Sequence, residues 1–376
     1  MANTSSVRIL LLADSHLGFD LPAQPRVRRR RRGHDFLANH ERALAAAGSG
    51  EVDMVVHGGD LFHRAEVPPS LAYQAFRPLV ALAEAGVPVV VVPGNHERSR
   101  IPHARFASHP KLHVFHRPGT LVVTVRGVRV AVSGFPYERR GVRERLPRIL
   151  EETGWGRERA DLRLLCMHHC VEGATVGPGS FTFRGTPDVV RCADLPVEFA
   201  AVLSGHIHRH QVLERDLRGA RLATPVLYPG SVERTAFAEM GEEKGFMILE
   251  MEPGSAGGRL ARRDFIRLPA RPMRLRDLHP RAAPGTIWLR GDLEDQLDAA
   301  VAEAPADAVL RLRVCGRVPP GVRGALAAAR LRRLAPPGMN LEVVVADDRG
   351  EGRRAPMASR ATSRATSRAT GGWTEG

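Results

Sequence analysis

Five short segments carry side chains able to hold a divalent cation or handle a phosphate: Asp14-Ser15-His16, Gly58-Gly59-Asp60, Gly94-Asn95-His96-Glu97, His168-His169 and Gly205-His206-Ile207-His208. Carboxylate, amide and imidazole donors with no thiolate suit manganese, iron or zinc rather than a soft metal. In an extended segment alternate side chains share a face, so Asp14 with His16, and His206 with His208, can each address one ion. Two ions a few ångströms apart need a bridging anion. Asp60 is the candidate, because the two glycines before it allow close backbone approach.

The elements that must position these groups are legible as short apolar runs: VRILLLAD, DMVVHGGD, PVVVVPGNH, LVVTVRGVRVAVSGF, LRLLCMHH, AAVLSGHIH, TPVLYPGS and GFMILEME. They predict buried strands. Helix-period stretches HDFLANHERALAAA and SLAYQAFRPLVALAEAG separate the early ones, the second closed by Gly86 and Pro88. Strands alternating with helices, followed by strands with little helix, predict a layered α/β sandwich of two sheets over residues 1–268. Nearly every candidate ligand falls at the carboxyl end of a strand, where open α/β folds line one crevice. From 269 a Pro- and Arg-rich link leads into helix, strand, helix and strand, a small α+β module ending near 348. The SRATSRATSRAT repeat within 349–376 carries no large apolar residue and is expected to be disordered.

With 376 residues the chain can bury a large core. No run reaches the roughly 18 apolar residues of a membrane span, and no secretory leader is evident. Four scattered cysteines predict a reducing, cytoplasmic setting. Cys166 and Cys170 flank His168 and His169, but without a second Cys pair they predict reduced thiols rather than structural zinc. The net charge of +14 is concentrated: residues 26–32 (RVRRRRR) hold +6 and residues 351–376 hold +3. The first run follows Asp14 and His16 closely enough to lie at the rim of the crevice, where Arg28, Arg29 and Arg30 could clamp a polyphosphate backbone. No phosphate-binding Walker loop and no nucleophile-elbow serine is present.

The series D-x-H, G-D, G-N-H-E, H and G-H-x-H resembles the calcineurin-like metallophosphoesterase superfamily. The longer strings GDLFHRAEVPPS, PGNHE, GHIHRHQ and YPGSVERTAFAE are similar to its SbcD-like branch of DNA double-strand-break repair exonucleases. The resemblance spans about residues 7–240. It implies a four-layer αββα sandwich with a capping-type C-terminal α+β domain, and two divalent cations per chain, manganese first, with iron, zinc or magnesium as alternatives. It further implies that Asp14, His16 and His208 hold one ion and Asn95, His168 and His206 the other, with Asp60 between them. His96 would not be a ligand but a catalytic group beside the scissile phosphate. His169 is expected at the rim, and Arg234 in the last block is a further candidate DNA contact.

The function so implied is a two-metal phosphodiesterase, a DNA exonuclease and endonuclease in repair that uses metal hydroxide against the phosphodiester. DNA, an SbcC-like coiled-coil ATPase and a second copy of the chain are the implied partners. In the better-known members of that branch helices after the cap bind the ATPase, whereas here the SRAT repeat follows the cap. Two alternatives stay open: the same site acting on cyclic nucleotides or phosphoproteins, and a non-catalytic DNA-end-binding scaffold, which the presence of His96 disfavours.

Overall fold

The computed structural model describes residues 6–21, 30–281 and 287–346. Two six-stranded mixed sheets form its centre. The first runs, from edge to edge, 259–267, 245–252, 7–12, 54–57, 89–91 and 112–114. Its four early strands are parallel, and strand 245–252 pairs antiparallel with 7–12. The second runs 211–215, 221–228, 201–204, 162–167, 128–134 and 119–125. Its four inner strands are parallel and both edges antiparallel.

Alternation of side chains assigns three apolar layers. Ile9, Leu11, Val56, Val90, Val130, Leu164 and Leu203 face one another between the sheets. On the outer face of the first sheet, Leu10, Leu12, Val55 and Val91 meet Phe36, Leu44, Phe76 and Leu79 from helices Arg32–Ala47 and Pro69–Glu84. On the outer face of the second, Leu165, Val202 and Val226 meet Leu146, Ile149 and Leu150 from helix Val142–Thr153. Helix, sheet, sheet, helix is the expected four-layer αββα sandwich. Helix Val142–Thr153 is an addition to the elements expected from the sequence. Its apolar residues recur at helical spacing, but Pro147 and a charged composition obscure them.

A third, all-parallel sheet of strands 273–278, 309–315 and 340–346 packs against helix Arg290–Ala302 with its own apolar cluster around Trp288, Leu297 and Leu312. The stretch expected to be a link contains the strand Met273–Leu278 (MRLRDL), whose short apolar alternation is masked by its own charges and the surrounding arginines and prolines. The second helix expected here divides into a 3₁₀ segment Pro320–Leu326 and helix Ala328–Leu334. Arg271 joins this unit to the sandwich: its buried guanidinium reaches Asp35 Oδ2 at 2.9 Å and the carbonyls of Asp307, Ala308 and Gly338. The repetitive tail lies outside the described residues. Among them, no helix is long and apolar enough to cross a membrane.

Candidate metal centre

The segment leaving strand 7–12 runs beside the one leaving strand 54–57: Asp14 N–H donates to Gly59 O at 2.9 Å and His16 N–H to Asp60 O at 3.0 Å. This zipper sets both carboxylates at one depth, and both are buried. Glycine is required at the crossings. A Cβ at Gly59 would stand 2.2 Å from His168 Nδ1, and one at Gly94 would stand 2.1 Å from Asp60 Oδ1. Asp14, His16, Asp60 and His206 all hold positive φ, between 44° and 80°. Such backbone costs about 1–3 kcal/mol per residue and persists where the surrounding structure enforces it.

The seven residues expected to converge do so. His16 Nε2 and His208 Nε2 face each other at 2.9 Å, with Asp14 Oδ1 4.0 Å from the first and 3.9 Å from the second. Asn95 Oδ1 lies 3.0 Å from His168 Nε2 and 2.9 Å from His206 Nδ1. Asp60 Oδ2 sits between these groups, 3.8 Å from His16 Nε2 and 3.4 Å from His168 Nε2. Donor atoms of Asp14, His16 and His208, and of Asp14, Asp60 and His168, each fall within 4.8 Å of one another.

The chemistry of this donor set fits a divalent pair. Two buried carboxylates face imidazoles rather than a permanent cation, a charge arrangement that is costly to bury unless a cation balances it. Burial pushes the Asp14 carboxyl up, against the pull of His168 and His208. Asp60 experiences the same burial, yet His168, His16 and His96 hold it well below the usual range. Burial would depress His168, but Asp60 and Asp14 raise it to about 9, whereas burial beside His168 drives His206 down to about 3.

Each ring is aimed from behind. His168 Nδ1–H donates to Gly58 O at 2.8 Å, and His96 Nδ1–H donates to His63 O at 2.9 Å, leaving each Nε2 turned inward. His96 Nε2 is 3.9 Å from Asp60 Oδ2, and its side chain is 27% exposed, so it stands at the mouth. His63 joins the site without having stood out in the sequence. Its ring lies 4.8 Å from His96 and 5.2 Å from His16, and its position three residues after Asp60 is the one signal that could have found it. Burial and the neighbouring His96 lower it to about 4.

Several expected substrate contacts are placed elsewhere. His169 is buried, stacks 4.8 Å from Tyr137 and accepts the Glu138 N–H at Nε2, so it is not a rim group. Arg234 donates to the carbonyls of Glu242 and Arg271. Arg28 and Arg29 lie outside the described residues. Arg30 pairs with Asp35, Arg31 holds Asp20 with two hydrogen bonds, and Arg32 lies over the rings of Phe19 and Phe36. Cys166, Cys170, Cys192 and Cys315 form no disulfide; Cys166 lies between the sheets and Cys170 beneath helix Val142–Thr153, on opposite sides of one sheet.

A layered sandwich whose strand ends bring carboxylates, an amide and imidazoles into one cage defines a metallophosphoesterase type of centre. The calcineurin-like phosphoesterase family profile matches residues 7–210, and the chain belongs to that family. Among curated relatives, the DNA double-strand break repair protein Mre11 of Haloferax volcanii is 31% identical over 252 residues, 65% of this chain and 50% of that protein. The Mre11 protein of Methanopyrus kandleri is 26% identical over 66% of this chain and 55% of its own length. The SbcD component of the Bacillus subtilis nuclease SbcCD is 28% identical over 66% of this chain and 67% of its own length. The chain thus spans about half the length of the first two.

Proposed function

We propose that this protein is a two-metal phosphodiesterase acting on DNA as an exonuclease and endonuclease in repair. The observation that carries this is the approach of Asp60 Oδ2 to both His16 Nε2, at 3.8 Å, and His168 Nε2, at 3.4 Å, amid nitrogen and oxygen donors, in a chain similar to Mre11 and SbcD proteins. Asp14, His16 and His208 would hold one cation, and Asn95, His168 and His206 the other, with Asp60 shared. Manganese is the first candidate, with iron, zinc and magnesium also suited to these donors. Bound there, two divalent cations acidify water and neutralise phosphate oxygens.

The remaining work belongs to the protein. The zippered loops keep the donors in place before substrate arrives, so little reorganisation accompanies reaction. His96, oriented by the His63 carbonyl, directs Nε2 toward the cage from its open side. There it can donate a proton to the leaving oxygen or steady charge on the phosphate. No serine or cysteine nucleophile is needed.

DNA is the proposed substrate, and an SbcC-like ATPase and a second copy of the chain are proposed partners, in the cytoplasm. The unit at 269–348 is the proposed cap, joined to a body at 1–268. Purified protein with Mn²⁺ and linear duplex DNA should release nucleotides. Release no greater than that of an Asp60→Ala control would remove the nuclease assignment.

A second substrate class is favoured by one observation: the described arginines Arg30, Arg31 and Arg32 are engaged within the chain rather than aimed at the cage. Under that reading the same centre hydrolyses cyclic nucleotides or phosphoproteins. Faster turnover of p-nitrophenyl phosphate than of its bis ester would point to phosphoproteins, which are monoesters, whereas hydrolysis of a cyclic nucleotide, itself a diester, without nucleotide release from DNA would point to cyclic nucleotides.

A further inference from the structure

His208 differs from His168 in what holds it. His168 rests on a neutral carbonyl, whereas His208 Nδ1 lies 3.1 Å from Glu239 Oε1, at the end of the ring opposite the cage. Glu239 is itself fixed on all sides. Oε1 also accepts the Thr235 hydroxyl at 2.5 Å, while Oε2 accepts the Thr235 N–H at 3.1 Å and the Lys244 ammonium at 2.8 Å. Lys244 is buried and donates in addition to His208 O at 2.8 Å and Glu242 Oε2 at 3.0 Å. Glu242 is gripped in turn by Arg209 Nε at 3.0 Å. From the C-terminal unit, Arg311 lies 4.1 Å over the ring of Phe237, in the same short 3₁₀ turn as Glu239.

We propose that Glu239 is a positioning residue for His208, locking the ring so that Nε2 faces the cation site shared with Asp14 and His16. It is not a ligand, because both its oxygens are occupied behind the ring. An imidazole donating Nδ1–H to a carboxylate is fixed in tautomer and orientation and becomes a stronger donor at Nε2. A buried ammonium and a carboxylate only 12% exposed around one ligand would be expensive as packing alone. They are explained if the pair aims that ligand. Glu239's role rests on the two-cation reading above.

The test is calorimetric titration of the full chain with Mn²⁺. Wild type should take up two ions. Glu239→Gln, isosteric but uncharged, should weaken one of the two sites about 10- to 100-fold and leave the other unchanged. Glu239→Asp keeps the charge and shortens the reach, so it should weaken the same single site and serves if the glutamine variant does not fold. Two sites of wild-type affinity in either folded variant would overturn the positioning role while leaving the metal centre standing. Absence of Mn²⁺ uptake by wild type, no different from Asp60→Ala, would overturn both.

Discussion

Glu97 Oε1 accepts the N–H of Phe62 at 2.7 Å, while its other oxygen accepts the N–H of Gly94 at 2.8 Å. One buried carboxylate therefore ties the loop that carries Asp60 to the loop that carries Asn95. Glu97→Gln turns an acceptor into a donor, and one of the two backbone groups loses its partner. A loss of about 1–3 kcal/mol in urea unfolding is expected, together with weaker Mn²⁺ uptake. An unchanged midpoint would show that the clamp contributes nothing.

Gly94→Ala replaces no proposed ligand, yet its Cβ would stand 2.1 Å from Asp60 Oδ1 and 2.5 Å from Asp60 N. Asp60 must shift, and a displacement near 1 Å in a reacting centre costs about 100-fold in rate. Phosphodiester hydrolysis by this variant should fall by about that factor. Activity equal to wild type would mean that Asp60 is not where the chemistry is set.

His96→Asn should separate binding from turnover. Because the His96 side chain stands at the mouth, 3.9 Å from Asp60, two Mn²⁺ sites should survive by calorimetry. Hydrolysis should drop about 10²- to 10⁴-fold. Loss of a Mn²⁺ site in this variant would instead make His96 a ligand.

Acid should destabilise the fold through His40. Gly59 N–H donates to His57 Nδ1 at 3.3 Å, so His57 Nε2–H donates to Ser15 Oγ at 2.9 Å. Ser15 then donates to His40 Nδ1 at 3.1 Å, and His40 Nε2–H donates to Ala75 O at 3.2 Å. This chain is complete only with both rings neutral. Burial holds His40 at about 4, below its usual 6.5. The unfolded chain thus takes up the proton first, so stability present above pH 6.5 is lost as pH falls toward 4, by up to about 3 kcal/mol. His40→Gln should flatten urea stability across that window. A pH dependence identical to wild type would exclude this contribution.

Arg271→Met removes the guanidinium held by Asp35 at 2.9 Å and by Asn340 Oδ1 at 2.6 Å. The cost is about 3 kcal/mol, the lower end for a broken buried pair, because Asp35 keeps Arg30. Hydrogen exchange should accelerate in residues 273–346 before it does in the sheets of the sandwich. Uniform exchange across both would place Arg271 in general packing.

The strands, and what stands at their ends, follow from the order of residues alone. Continuous apolar runs must be buried on both faces, and Asp14, Asp60, Asn95, His168, His206 and His208 each follow such a run, so convergence at one crevice was readable from the chain itself. Helix Val142–Thr153 and strand Met273–Leu278 were less legible, because local composition conflicted with a periodicity that only packing enforces. The destinations of polar side chains were set by the folded arrangement. His168 and His169 are adjacent in an identical local context, yet one enters the cage and the other is stacked against Tyr137. Glu239 stands behind His208 across 31 residues of chain. A charged or hydrogen-bonding group has no preferred face of its own; its partner is fixed by whichever distant segment the folded sheets bring within about 3 Å.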